Sequence, residues 1–384
     1  MAARRVAIVH EWLVTYGGSE RVLKELIALF PEADLFALVD FLSDEDRANL
    51  NGKRARTSFL QSLPFARRKY RSYLPLMPIA VEQFDLSGYD LVISSSHAVA
   101  KGVITGPGQK HICYCHTPIR YAWDLQHQYL HEAGISRGFR SVLARLVLHY
   151  IRHWDLRANA GVDHFIANSV YVASRIRKFY GRESVVIHPP VDIEAFRPCQ
   201  QKEDFYLAAS RLVPYKRMEL IAAAFARMPQ RRLTIIGDGP GMDRLRAIKA
   251  ANISILGYQP FPVLRDHMQR ARAFIFAAEE DFGITPVEAQ ACGTPVIAFG
   301  RGGATETILA GNAGIAPTGL FFEEQTEESL MAAVEAFEKM QINPLDCRRQ
   351  AEIFDVARFH DAIREFLGEA VPFTVAPPFK IAAE

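Results

Sequence analysis

The sequence predicts an α/β protein made of two doubly wound parallel-sheet domains, and three observations carry that expectation. Short apolar runs alternate with helical stretches along the chain, the order that builds parallel sheets with helices packed on their faces. The first run, Val6 to Val9, leads through a Gly17-Gly18 loop into a helix with Val22, Leu23, Leu26, Ile27 and Phe30 on one face. A strand, a Gly-rich turn and a helix in that order present backbone amides to a ligand. Finally, 384 residues are enough for two cores, and Pro189-Pro190 interrupt the alternation where the charge balance changes sign. Residues 1–190 carry 24 Lys and Arg against 17 Asp and Glu, a balance of +7, whereas residues 191–384 carry 21 against 26, a balance of −5. The expected division is a first domain over 1–190, a second over 191–367 and a tail over 368–384.

In the first domain, Leu35 to Val39 forms the next strand. Ser43-Asp44-Glu45-Asp46 contains a D-x-D, but Ser43 fits an N-cap with acids in the first helical turn. Leu91 to Ser94 and His111 to Tyr114 are strands, and His116 stands just past the second, where open α/β sheets bind ligands. Residues 137–157 form a long helix with Phe139, Leu143, Leu146, Tyr150 and Trp154 on one face, expected to be buried within its own domain. A strand over 163–168, a helix from Ser169 and a strand over 185–188 complete this half. The second half opens with a strand over 205–209 and the turn Arg211-Leu212-Val213-Pro214-Tyr215-Lys216. Strands follow over 233–237, 253–256, 274–277 and 295–299, with helices over 285–292, 327–340 and 357–367.

Composition narrows the function classes. No apolar run reaches the roughly 18 residues that span a bilayer, and MAARRVAIVHEWL enters a strand without a signal-peptide pattern, so a cytosolic protein is expected. The five cysteines form no CxxC pair and are expected to be reduced. Cys113-Tyr114-Cys115-His116 lacks a second ligand pair, and no metal is expected. Between Asp46 and Glu82 there is no acid, but eight Lys and Arg from Arg47 to Arg71 are interleaved with Phe65, Tyr70, Tyr73, Leu74 and Leu76. That surface fits an anionic membrane, a pyrophosphate lipid or a plain solvated face; no recognised nucleic-acid module accompanies it.

The stretch from Phe274 to Thr307, FIFAAEEDFGITPVEAQACGTPVIAFGRGGATET, brings Glu280 and Glu288 to the start of one helix. Thr285-Pro286-Val287-Glu288 has the form of a capping box, with Thr285 as N-cap and Glu288 reaching back. That form accounts for Glu288 but leaves Glu280-Asp281 beside Phe282-Gly283 without a structural reason. Glu280, seven residues, then Glu288, with ACGTPVIA following, resembles the E-x7-E signature of the retaining nucleotide-sugar glycosyltransferases of family 4, which have the GT-B fold. RLVPYK resembles that family's R-L-x-P-x-K, and His116-Thr117-Pro118 its H-T-P.

The resemblance implies two Rossmann-like domains facing across a cleft, with the C-terminal helix crossing back onto the first. It implies that Arg211 and Lys216 grip the donor diphosphate, that Glu288 holds the ribose and Glu280 a sugar hydroxyl, and that Phe282, Gly283 and Ile284 offer backbone amides. It places His116 at the donor sugar, Tyr258 near the base, and Gly17 and Gly18 on the acceptor side. No cofactor is implied beyond the nucleotide-sugar substrate. Similarity to bacterial surface-polysaccharide mannosyltransferases favours GDP-mannose, ahead of UDP-sugars and dTDP-rhamnose, with a polyprenyl-pyrophosphate-linked acceptor. A nucleotide-sugar 2-epimerase of the same fold and a non-catalytic nucleotide- or carbohydrate-binding protein are the alternatives.

Overall fold

The computed structural model describes residues 5–311 and 315–370. The first sheet comprises β1 (Val6–His10), β2 (Asp34–Ala37), β3 (Arg56–Thr57), β4 (Leu91–Ser96), β5 (Lys110–Cys115), β6 (His164–Ala167) and β7 (Ser184–Val186). Its strands are all parallel, in the order β3-β2-β1-β4-β5-β6-β7. The second comprises β8 (Tyr206–Ala209), β9 (Leu233–Ile236), β10 (Ile253–Gly257), β11 (Ala273–Phe276), β12 (Val296–Phe299) and β13 (Gly319–Phe322). It is also parallel, in the order β10-β9-β8-β11-β12-β13. Strand order therefore reverses between β1 and β4 in one sheet and between β8 and β11 in the other. In open parallel sheets such a reversal leaves a crevice at the carboxyl ends of the strands.

Each sheet is buried on both faces by apolar residues. Ile8, Leu35, Ile93 and Ile112 face one core of the first sheet, and Ala7, Val9, Phe36 and Val92 the other. The second sheet divides likewise, with Leu207, Phe274 and Val296 on one side and Tyr206, Ile235 and Ile297 on the other. The C-terminal helix Val356–Ala370 crosses back onto the first domain. Phe359, Ile363 and Phe366 enter the core beneath Ile8 and Leu23, and His360 Nε2 lies 2.9 Å from Glu25 Oε2. This helix includes residues 368–370 of the expected tail; residues 371–384 lie outside the described residues.

The Phe139–Asn159 helix departs from expectation. It buries Ser141, Leu148, Ile151 and Trp154, while Phe139 is 82% exposed, Leu146 61%, and Val142, Leu143 and Tyr150 are also exposed. Of the five residues expected on a buried face, only Trp154 is buried. The two faces of the helix carry apolar residues of similar weight, and periodicity alone does not say which one meets the domain. At its inner end, Asp155 pairs with the buried Lys101 and accepts hydrogen bonds from Trp123 Nε1 at 2.8 Å and Tyr180 Oη at 2.9 Å.

Just past β1, Glu11 is wholly buried. Its carboxylate accepts the Ser96 hydroxyl and the backbone N–H groups of His97, Ala98, Val99 and Ala100 at 2.7–3.0 Å. Burial pushes the carboxyl upward, but the neighbouring His97 and these N–H donors outweigh it and hold Glu11 below its ordinary value. The turn that follows β4 is thus folded around one anion. Because the folded-state value is depressed, this stabilisation is complete above the unfolded carboxylate range, about pH 4.3, and is lost as pH falls through the folded value. Glu11→Gln turns the amide nitrogen toward N–H donors and should cost about 2–4 kcal/mol near neutrality, with the difference from wild type closing in acid. Chemical denaturation across pH measures both; an unchanged midpoint near neutrality would remove Glu11 from this role.

Candidate active site

The loops at the two strand-order reversals open into one cleft of about 840 Å³. From the first domain come Gly17 and Gly18 after β1, His97 after β4 and His116 after β5. From the second come Arg211 and Lys216 after β8, and Glu280, Phe282, Gly283, Ile284 and Glu288 after β11. The structure thus gathers all the expected site residues except Tyr258. That side chain follows β10, the edge strand of its sheet, is 76% exposed, and does not line the cleft. Its strand lies two positions from the reversal at β8, away from the cleft lining in which the resemblance implies a contact near the base.

The loop after β11 is set by two backbone devices. Gly283 adopts φ +86° and is the N-cap of the Ile284–Ala291 helix; only glycine takes that conformation at low cost. Gly302 lies so close beneath the loop that a Cβ there would stand 2.4 Å from the Glu280 carbonyl oxygen. With the helix starting at Ile284, the expected capping box does not form: Thr285 lies inside the first turn and Glu288 does not reach back to it. Glu288 is instead buried against the other domain, where its Oε1 accepts from Arg21 Nη1 at 2.5 Å. Its Oε2 has no protein partner among the described residues.

Charge in the cleft is arranged in pairs. Glu280 is held by Lys216 of its own domain. Asp281, 7% exposed, accepts from Arg175 Nη1 at 2.6 Å and from Arg120, both of the opposite domain, and Arg175 Nη2 also meets Asp124 at 2.6 Å. Arg211 is exposed, lines the cleft and carries no ion pair among the described residues. A guanidinium and an ammonium beside the N–H groups of a helix N-terminus form a site suited to a diphosphate. Carboxylates nearby are acceptors for hydroxyls. Burial, with His97 and His10 close by, holds the His116 imidazole well below its ordinary value, so His116 is neutral near pH 7.

Sequence reasoning missed Arg21, His97, Arg120 and the bridging role of Asp281. His97 was accessible by the same argument as His116, since it follows the carboxyl end of the neighbouring strand. The arginines had no such signal: their partners are 161 and 267 residues away in the chain. Ser43 does cap its helix, accepting from Asp46 N at 3.1 Å, so that D-x-D lies in a first helical turn. Among the described residues no three His, Cys, Asp or Glu side chains gather as a metal site.

Two family models match in tandem: Glycosyltransferase Family 4 over residues 16–195 and Glycosyl transferases group 1 over residues 192–354. A GDP-mannose-dependent alpha-(1-6)-phosphatidylinositol monomannoside mannosyltransferase of Mycolicibacterium smegmatis is 30% identical over 188 residues, 41% of this chain and 48% of the relative. A D-inositol 3-phosphate glycosyltransferase of Geodermatophilus obscurus is 28% identical over 238 residues, 53% of this chain and 52% of the relative. The chain therefore spans about half the length of the curated relatives it matches. Among solved structures, Anabaena HepE in complex with UDP superposes with a TM-score of 0.66 at 18% identity, covering 95% of this chain and all of that one. Sucrose-phosphate synthase of Thermosynechococcus elongatus gives 0.70 at 16% identity, covering 96% and 99%. With the tandem models, the parallel sheets and the shared cleft, the chain belongs to the GT-B glycosyltransferases that join a family 4-type N-terminal domain to a group 1 C-terminal domain.

Proposed function

We propose that this protein is a retaining hexosyltransferase that moves a sugar from a nucleotide donor to a lipid-linked or polysaccharide-precursor acceptor in bacterial surface glycan synthesis. One observation carries the reading: Gly17, Gly18 and His116 of one domain and Arg211, Lys216, Glu280 and Glu288 of the other line the same cleft. Arg211 and Lys216 neutralise the departing nucleoside diphosphate, the step in which most negative charge develops. Glu288 offers its free oxygen to the ribose, with Arg21 keeping the carboxylate in place. Glu280, oriented by Lys216, takes a sugar hydroxyl, and the amides of Phe282, Gly283 and Ile284 complete the donor site. Apposition of the two domains brings His116 to the donor and excludes water.

GDP-mannose is the proposed donor, supported by the GDP-mannose dependence of the similar Mycolicibacterium mannosyltransferase. A polyprenyl-pyrophosphate-linked acceptor fits the first-domain side of the cleft, where Arg71 stands among Trp12, Leu74, Met77 and Tyr121. The proposed setting is the inner face of the cytoplasmic membrane. No described helix is long and apolar enough to cross a bilayer, and contact would run through the exposed apolar face of the Phe139–Asn159 helix together with the basic stretch 47–81. Leu143→Asp/Leu146→Asp should then lose co-sedimentation with anionic vesicles; equal binding would sink that contact.

The direct test is transfer of labelled mannose from GDP-mannose to polyprenyl-pyrophosphate glycans, with GDP released only when acceptor is present. Release without acceptor, or no transfer from any nucleotide sugar, contradicts the proposal. Arg211→Ala should lower kcat/KM by about 30- to 1,000-fold, the scale of one lost electrostatic donor at about 2–4 kcal/mol, and wild-type turnover would remove Arg211 from the site. Glu288→Gln should raise the Kd for the donor about tenfold, roughly 1.4 kcal/mol, because an amide gives the ribose a weaker acceptor and releases Arg21. An unchanged donor Kd would return Glu288 to a purely interdomain role.

A further inference from the structure

His116 is joined to the Gly17-Gly18 loop by an unbroken chain of buried polar groups. His116 Nε2 lies 2.8 Å from Ser95 Oγ, Ser95 Oγ lies 3.1 Å from His10 Nδ1, and His10 Nε2 lies 3.3 Å from Glu20 Oε1. The other carboxylate oxygen of Glu20 accepts the Gly17 N–H and the Ser19 hydroxyl, each at 3.0 Å. Ser95 is 0% exposed, His10 1% and Glu20 6%, so water does not intervene as an alternative partner. The His116 Nδ1 atom has no partner among the described residues, and the ring lines the cleft.

The ends of this chain dictate its direction. Glu20 sits in the first turn of the Gly18–Leu29 helix, where N–H donors and the helix dipole favour a charged carboxylate; burial pushes its carboxyl upward, but the hydrogen bond and charge of His10 and its own backbone N–H outweigh burial and hold it below its ordinary value. A carboxylate only accepts, so His10 must present Nε2–H to it. With one proton on each imidazole, His10 Nδ1 is then an acceptor, the Ser95 hydroxyl donates to it, and Ser95 Oγ accepts from His116 Nε2–H. We propose that Glu20, through His10 and Ser95, is a positioning residue that fixes the His116 proton on Nε2 and leaves Nδ1 as a hydrogen-bond acceptor facing the cleft. This rests on the reading of His116 as a site residue. It adds that His116 receives a hydroxyl proton of the substrate in a hydrogen bond and does not donate one to a phosphate. The same carboxylate fixes the Gly17 amide, so the glycine loop and the histidine are set by one residue.

The test needs neither donor nor acceptor. In protein labelled with ring-15N histidine near neutral pH, with His116 assigned through His116→Asn, Nε2 should appear as the protonated nitrogen and Nδ1 as the bare one. In Glu20→Gln the amide oxygen must stay on the Gly17 N–H, which turns the amide NH2 toward His10. Each bond in the chain then reverses and the His116 proton moves to Nδ1, so the two ring nitrogens exchange their resonance types. Ser95→Ala cuts the chain, and in that background Glu20→Gln should no longer alter His116. Nδ1–H or a doubly protonated ring at His116 in the wild type, a doubly protonated His10, or a Glu20→Gln protein with the wild-type pattern, would each overturn the proposal. Those outcomes are independent of whether the protein transfers a sugar, so a failed tautomer assignment and a failed transferase assay are told apart.

Discussion

Asp281 is the group on which the site depends most. It belongs to the second domain and is nearly buried, yet both of its cationic partners, Arg120 and Arg175, belong to the first. Taking these charges out of water is costly and is offset only if each finds its partners; pulling the domains apart would leave the carboxylate without them. The neighbouring residues on the same loop are Glu280 and Phe282, so the contact that fixes one domain against the other also fixes the second-domain side of the cleft. Arg21 with Glu288, and the backbone N–H groups of Val170 and Tyr171 with Glu306, repeat the arrangement on either flank. Polar contacts at strand ends, more than a shared apolar core, set the cleft's geometry.

The first domain shows the same logic internally. Its central strands are apolar where they face the two cores, but their carboxyl ends carry His10, Glu11, Ser95 and Ser96, all buried. Buried polar groups add little net stability even when fully bonded, so their concentration at these positions serves placement. Glu11 folds the turn bearing His97, and Glu20 holds the glycine loop and the line of groups that ends at His116. Both carboxylates accept backbone N–H groups, which ties loop shape to side-chain position without flexible intermediates.

How much of this the sequence makes legible follows from the range of the interactions involved. Strand–helix alternation, Ser43 as a cap and the glycine turn after β1 are local, and they read directly. The cleft-lining residues near the two reversals were legible because each follows a strand, and the family motifs single them out. Failures arose where the deciding contact is remote. Glu288 reads as a capping-box acid because the competing partner, Arg21, lies in another domain, and the N-cap is Gly283, two residues before Thr285. The Phe139–Asn159 helix has apolar residues on two faces, and only the domain it packs on selects between them. Strand β13, four residues long, carries no alternation to mark it, and β3 is shorter still.

Arg211 and Lys216, which share the cleft with the Gly283 end of a helix, are proposed to hold a nucleoside diphosphate. Thermal unfolding of the wild type and of Arg211→Ala against GDP, UDP, dTDP, ADP and NAD tests it most directly, because a ligand bound only by the folded state raises the melting temperature. GDP should raise it in the wild type and raise it less or not at all in Arg211→Ala, and NAD should have no effect. A wild-type protein indifferent to every nucleoside diphosphate, or an Arg211→Ala protein stabilised as strongly as wild type, would contradict the proposal.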